Sequence, residues 1–137
     1  MELKRVVVTG LGALTPIGNN IEDFWNNLII GKSGAAPITY FDTEKFKTKF
    51  ACELKDFNVL DFLDRKEARK MDRFTQYAMV ASEQAILDSK LDLDSIDNYR
   101  SGVIWGSGIG GIETFQDEVI NPLEMEHLDL TRFLSQK

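Results

Sequence analysis

The chain has 137 residues, 43% hydrophobic and 28% charged, ordinary values for one globular domain that exclude a disordered or low-complexity polypeptide. Sixteen Lys and Arg against 22 Asp and Glu give a net charge of -6, which excludes whole-molecule attraction to nucleic acid or to an anionic membrane. One cysteine, Cys52, and one histidine, His127, exclude an intrachain disulfide and a His/Cys zinc cluster, and the charged start followed by only three valines gives neither a signal peptide nor a membrane span, so a cytoplasmic location is expected.

Val6, Val7 and Val8 form an unbroken β-branched run, which predicts a central strand covered on both faces in a sheet flanked by helices. Gly10, Gly12, Pro16 and Gly18 then interrupt regular structure, giving a loop whose backbone can approach other groups closely. Ile21, Phe24, Trp25, Leu28 and Ile29 follow at helical spacing. Asn20 suits the N-cap, Glu22 and Asp23 suit the positive end, and Gly31 suits the stop.

Gly31-Lys32-Ser33 resembles the end of a phosphate-binding loop, but that motif needs a glycine five residues before its last one, and Asn26 stands there. Residues 34–47 read as surface loop with one turn around Thr43 to Phe46. Residues 49–54 alternate weakly and predict a strand, with Cys52 as a small core residue rather than a nucleophile.

Helix-forming residues dominate from about Val59 to Leu91, with a break. Phe74, Tyr77, Ala78, Ala81 and Ala85 share one face, while Val80, Ile86 and Leu87 make others apolar, so this helix is expected to be buried on more than one side, in part against another subunit. Arg65-Lys-Glu-Ala-Arg-Lys70 concentrates four cations in an acidic chain. Composition alone favours a solvated face partnered by Asp61, Asp64 and Asp72; the alternative is a docking patch for an acidic partner.

Ser101 to Gly106 predicts another strand, and Gly106-Ser-Gly-Ile-Gly-Gly111 turns the chain into a helix over about Ile112 to Ile120. The glycines match a dinucleotide-binding fingerprint. No second strand leads to Glu126 or Asp129, however, and in the first glycine loop Thr15 replaces the third glycine. An oxidoreductase domain using Gly106, Gly108 and Gly111 is the minor reading.

Four segments taken together carry a resemblance: Val6-Val-Val-Thr-Gly-Leu-Gly-Ala-Leu-Thr-Pro-Ile-Gly18, Phe41-Asp-Thr43, Arg65-Lys-Glu-Ala-Arg-Lys-Met-Asp72 and Gly106-Ser-Gly-Ile-Gly-Gly111. In that order the chain resembles the opening of a β-ketoacyl-acyl-carrier-protein synthase, most closely the elongating type II enzyme of bacterial fatty acid synthesis. The resemblance implies an α/β, thiolase-like layered fold, of which this chain supplies the first part of the N-terminal half, and a homodimeric assembly. It also implies no cofactor and an acidic acyl carrier protein as partner, docked by Lys66, Arg69 and Lys70. Ile109 is implied to border the acyl pocket.

The family condenses acyl groups through a cysteine on a strand-to-helix elbow and two histidines. Neither Cys52, followed by Glu53, nor His127 lies in such a context, so no catalytic residue is assigned and the chain as written is expected to lack condensing activity. A non-catalytic subunit paired with a complete synthase is the remaining alternative.

The resemblance covers residues 1–121 and stops at a tail, 122–137, with weak helical character around Leu123 to Phe133. One choice of codons for Pro122 to Lys137, read after its first two bases, gives Leu-Gly-Asp-Gly-Thr-Pro-Arg-Phe-Asn-Pro-Phe-Phe-Ile-Pro-Lys, which is similar to the family's continuation towards its cysteine. A frameshift near Asn121 is therefore expected in the underlying DNA, where sequencing checks it.

Overall fold

The structure, a computed structural model, describes residues 3–120, so Asn121, His127 and the tail segment lie outside the described residues. Its order is helix α1 (Ile21–Ile29), strands β1 (Ala36–Pro37) and β2 (Phe50–Ala51), a 3-10 turn (Val59–Asp61), helix α2 (Arg65–Ala68) and helix α3 (Arg73–Ser89). Residues 112–120 are helical as well.

Helix α1 forms as its caps dictate. Asn20 is extended and its side chain accepts the Asp23 N–H at 2.8 Å, with Glu22 and Asp23 in the first turn. At the other end Gly31 takes φ +70°, the Gly31 N–H donates to the Leu28 carbonyl and the Lys32 N–H to the Asn27 carbonyl. This double bond pattern around a left-handed glycine closes the last turn.

Strands β1 and β2 pair antiparallel, Ala36 opposite Ala51 and Pro37 opposite Phe50. The ladder continues through the Ile38 N–H to the Lys49 carbonyl, and beyond it the Glu53 carboxylate accepts both the Thr39 N–H and hydroxyl. The predicted turn between them is present, with the Phe46 N–H on the Thr43 carbonyl. Cys52 is exposed, which corrects its expected place in a core: the ladder ends at Ala51, so nothing covers the next residue.

The glycine loop lies on α3. Leu11 N–H donates to the Asp88 carboxylate at 2.8 Å and Ala13 N–H to Gln84 Oε1 at 3.1 Å. Beneath them Ala81, Ala85 and Ser89 present a row of small side chains at i, i+4 and i+8. A Cβ on Gly12 would collide with the Ala81 carbonyl and stand 2.7 Å from the Ala85 nitrogen; one on Gly10 would stand 2.6 Å from the Ser89 nitrogen. Close backbone approach, the property read from the sequence, is the reason for both glycines.

The buried apolar residues among those described are Ala68, Ala78, Val80 and Ala81, all on α2 and α3. The strand expectations are corrected. Val6 to Val8 and Val103 to Trp105 have no ladder partner among the described residues and stand exposed, Val6 at 89%. A strand is a non-local structure, and β-branched residues supply only the preference for extension. Helix α3 is buried on more than one side, as expected: Ala78 and Ala81 are buried on one face and Val80 is fully covered on another, while Met79 and Leu87 remain exposed.

So much uncovered apolar surface favours association. The isolated chain is expected to self-associate in sedimentation at micromolar concentration and to unfold with a low urea midpoint; a monomeric, cooperative transition at high urea would contradict this. Gly12→Ala is expected to destabilise by about 1–3 kcal/mol, read as a further lowered midpoint.

Candidate functional site

Helix α2 is set by Asp64, whose carboxylate accepts the Lys66 and Glu67 N–H groups at 2.7 and 3.3 Å. Ala68 turns inwards and is buried, which leaves Arg65, Lys66, Arg69 and Lys70 exposed together. Lys70 pairs with Glu67 at 2.9 Å, an exposed contact worth little. The three acidic residues that could neutralise this patch are engaged elsewhere. Asp64 caps the helix, Asp61 accepts from the Asn58 amide, and Asp72 accepts the Thr114 hydroxyl. Among the described residues the ion pairs are Lys70–Glu67 and Arg73–Glu113, so Arg65, Lys66 and Arg69 make none.

The glycine turn at 106–111 packs against the start of α3. Gly110 has φ +68° and sits over the Phe74 ring, and its N–H donates to the Ser107 hydroxyl at 3.2 Å. Gly111 has no room for a side chain because the Asp72 carboxylate fills the space. Gly106 and Gly108 face open space. Ile109 is 75% exposed, and the cleft beside it, about 400 Å³, is lined by Gly110, Gly111, Phe74 and Tyr77.

A cluster that the sequence reading missed lies between these two features. Arg73 stacks over the Tyr40 ring at 4.7 Å and pairs with Glu113 at 3.0 Å. Tyr77 packs edge-on against Phe57, with ring centroids 5.3 Å apart. Tyr40 and Tyr77 line three adjoining clefts of about 670, 420 and 400 Å³. The sequence carries no local signal for it, because the partners of Arg73 are 33 residues before it and 40 after.

Burial, and then the neighbouring Tyr40 phenol, push the Tyr77 hydroxyl above the ordinary tyrosine value, with Arg73 pulling the other way. Glu53 is held below the usual carboxylate range: slight desolvation raises it, and the Thr39 hydroxyl and N–H together with the Tyr40 N–H outweigh that. Cys52 lines the 420 Å³ cleft, but no histidine occurs among the described residues and the thiol follows a strand rather than opening a helix. It has none of the neighbours that activate a nucleophile. Among the described residues no group of three His, Cys, Asp or Glu could hold a metal ion, and no helix is long and apolar enough to cross a membrane.

The description "Beta-ketoacyl synthase, N-terminal domain" matches residues 3–132. The chain belongs to the β-ketoacyl synthase family. It is 50% identical over 118 residues to 3-oxoacyl-[acyl-carrier-protein] synthase 2 of Synechocystis sp., covering 86% of this chain and 28% of that protein. It is 53% identical over 113 residues to the protein of the same name from Staphylococcus aureus, covering 82% and 27%. This β-ketoacyl synthase chain therefore spans little more than a quarter of the length of these relatives.

Among solved structures it is similar to the ishigamide ketosynthase/chain length factor, with TM-score 0.61 and 39% identity over 66% of this chain and 22% of that one. It is also similar to a chain in a type II PKS acyl-carrier protein complex with its ketosynthase bound to the hexaketide, with TM-score 0.50 and 30% identity over 66% and 23%. The fold is thus the thiolase-like one that the motifs implied, here present in part as helices and a small sheet.

A raised Tyr77 value means that the neutral phenol is the form the fold favours. Its contribution to stability is complete below the ordinary tyrosine value near 10 and is lost as pH rises from there through the higher folded value. Alkaline unfolding followed by circular dichroism is expected to lose part of its pH dependence in Tyr77→Phe.

Proposed function

We propose that this chain forms the carrier-docking and acyl-pocket side of a 3-oxoacyl-acyl-carrier-protein synthase, the enzyme that elongates fatty acids by decarboxylating condensation of a malonyl thioester with an acyl thioester. The observation that carries the reading is the α2 surface, where Lys66, Arg69 and Lys70 are exposed beside Arg65 in a chain of net charge -6. Among the described residues Arg65, Lys66 and Arg69 form no ion pair and Lys70 makes only an exposed one with Glu67, which supports a patch open to charge on another molecule. A carrier presenting phosphate and carboxylate groups fits it, and steering over an otherwise acidic surface restricts where that carrier lands.

Ile109, exposed on the turn that α3 holds, is the residue we assign to the wall of the acyl pocket, and with the exposed Ile112 it offers apolar side chains that suit an alkyl chain. The nucleophile and the histidines of the reaction are assigned to sequence other than residues 3–120. The same reading takes the carrier as acidic, places the enzyme in the cytoplasm and pairs it as a homodimer, for which the uncovered apolar faces of α1 and α3 offer surface. It also takes 122–137 as separate from the 1–121 region.

A second reading, a non-catalytic subunit paired with a cysteine-bearing synthase, is favoured by the similarity to the ketosynthase/chain length factor structure. Co-purification with a second, cysteine-bearing subunit would select it.

Replacing Lys66, Arg69 and Lys70 together by Glu is expected to weaken binding of an acidic acyl carrier protein by at least about tenfold at low salt, since each exposed charge contact contributes a fraction of a kcal/mol to about 1 kcal/mol. Wild-type affinity should fall as salt rises, because exposed charges are screened. Titration calorimetry at two salt concentrations measures both; unchanged affinity in the triple variant would remove the patch from the account.

A further inference from the structure

The first turn of α3 grips the glycine turn, and one of its residues does so at the expense of its usual work. Asp72 occupies the N-cap position with extended backbone, where an aspartate ordinarily accepts an N–H of its own helix, yet its side chain makes no capping bond. Its carboxylate instead accepts the hydroxyl of Thr114, 42 residues away, in a short contact. The same carboxylate packs so closely on Gly111 that a Cβ there would lie 2.9 Å from Asp72 Cγ.

Neighbouring contacts reinforce this grip. Arg73 pairs with Glu113 at 3.0 Å, and the Phe74 ring lies 3.6 Å from where a Cβ on Gly110 would be. On the opposite side the Gln76 amide donates to the Ala68 carbonyl at 2.9 Å and the Met71 carbonyl at 3.1 Å, fastening the end of α2 to α3. The exposed cations of α2 and the glycine turn are therefore attached to the same turn of α3 by directional bonds.

We propose that Asp72 is a positioning residue that couples the cationic edge of α2 to the glycine turn, so that the two behave as one unit. The coupling is internal to this chain; its use, reporting an occupied docking patch to the acyl pocket, rests on the function proposed above. The Asp72–Thr114 bond is charge-assisted and exposed, and its hold on local opening is what amide exchange reads residue by residue.

The test is amide hydrogen exchange read by mass spectrometry with residue-resolving fragmentation, on the full 137-residue chain at submicromolar concentration, below that of self-association. One set of reporters is Ile112 and Phe115, whose N–H groups bond the Gly110 and Gly111 carbonyls; the other is Lys70 and Met71, bonded to the Glu67 and Ala68 carbonyls. Thr114→Val keeps the shape and removes the donor. It is expected to accelerate exchange in both sets about tenfold, while Leu11 and Ala13, bonded to the far half of α3, stay unchanged, and Thr114→Ser restores both sets. Acceleration confined to Ile112 and Phe115 overturns the proposal, as does acceleration that also reaches Leu11 and Ala13, or an absence of protection in the wild type. Adding an acidic carrier protein separates the two readings: failure of the wild type to bind it removes the docking function and leaves the exchange result standing.

Discussion

The structure depends on one close approach, the backbone of the glycine loop laid directly on the small-residue face of α3. Ala81, Ala85 and Ser89 keep that face flat, and Gly10 and Gly12 remove the side chains that would hold the two backbones apart. Contact at this range lets side chains of the helix serve the loop's peptide groups. Gln84 alone accepts from Ala13 and donates to the Asn19 carbonyl, and Asn19 in turn donates to the carbonyls of Lys55 and Asp56. Asn27 of α1 donates to the Ile17 carbonyl at 2.6 Å. One helix thereby fixes the loop, and the loop fixes both α1 and the segment entering the 3-10 turn.

This is a framework of polar clamps around a very small dry interior. Burial of apolar area is the dominant favourable term in folding, and among the described residues the four buried apolar ones, three of them alanines, supply little of it. The relatives that share this sequence are more than three times as long. The exposed valines at 6–8 and the apolar residues at 103–105 are composed for an interior that the described residues do not themselves enclose.

What the sequence made legible follows from the range of each interaction. The first helix was readable to the residue, because its cap, its acidic first turn and its terminating glycine all act within four positions. A break in the helical stretch 59–91 was expected without its position, and the loop glycines suggested a close backbone approach. Strand pairing was not, because extension is local whereas a ladder needs a partner. Cys52 was misplaced by the same error, an extended segment being taken for a covered one. The cations of α2 were visible as a charge run, but which acidic groups face them depended on where Asp61, Asp64 and Asp72 point, and that is set by contacts as distant as Thr114. The Tyr40–Arg73–Tyr77 cluster, drawn from two separate stretches, left no pattern to read.

Cys52 is both the chain's single thiol and an exposed one, lining a cleft together with Tyr40 and Tyr77. A maleimide dye or nitroxide attached there carries no ambiguity of position and touches none of the capping or clamping groups. The single thiol thus gives a built-in spectroscopic address, from which distances to any labelled partner can be measured without altering a single amino acid.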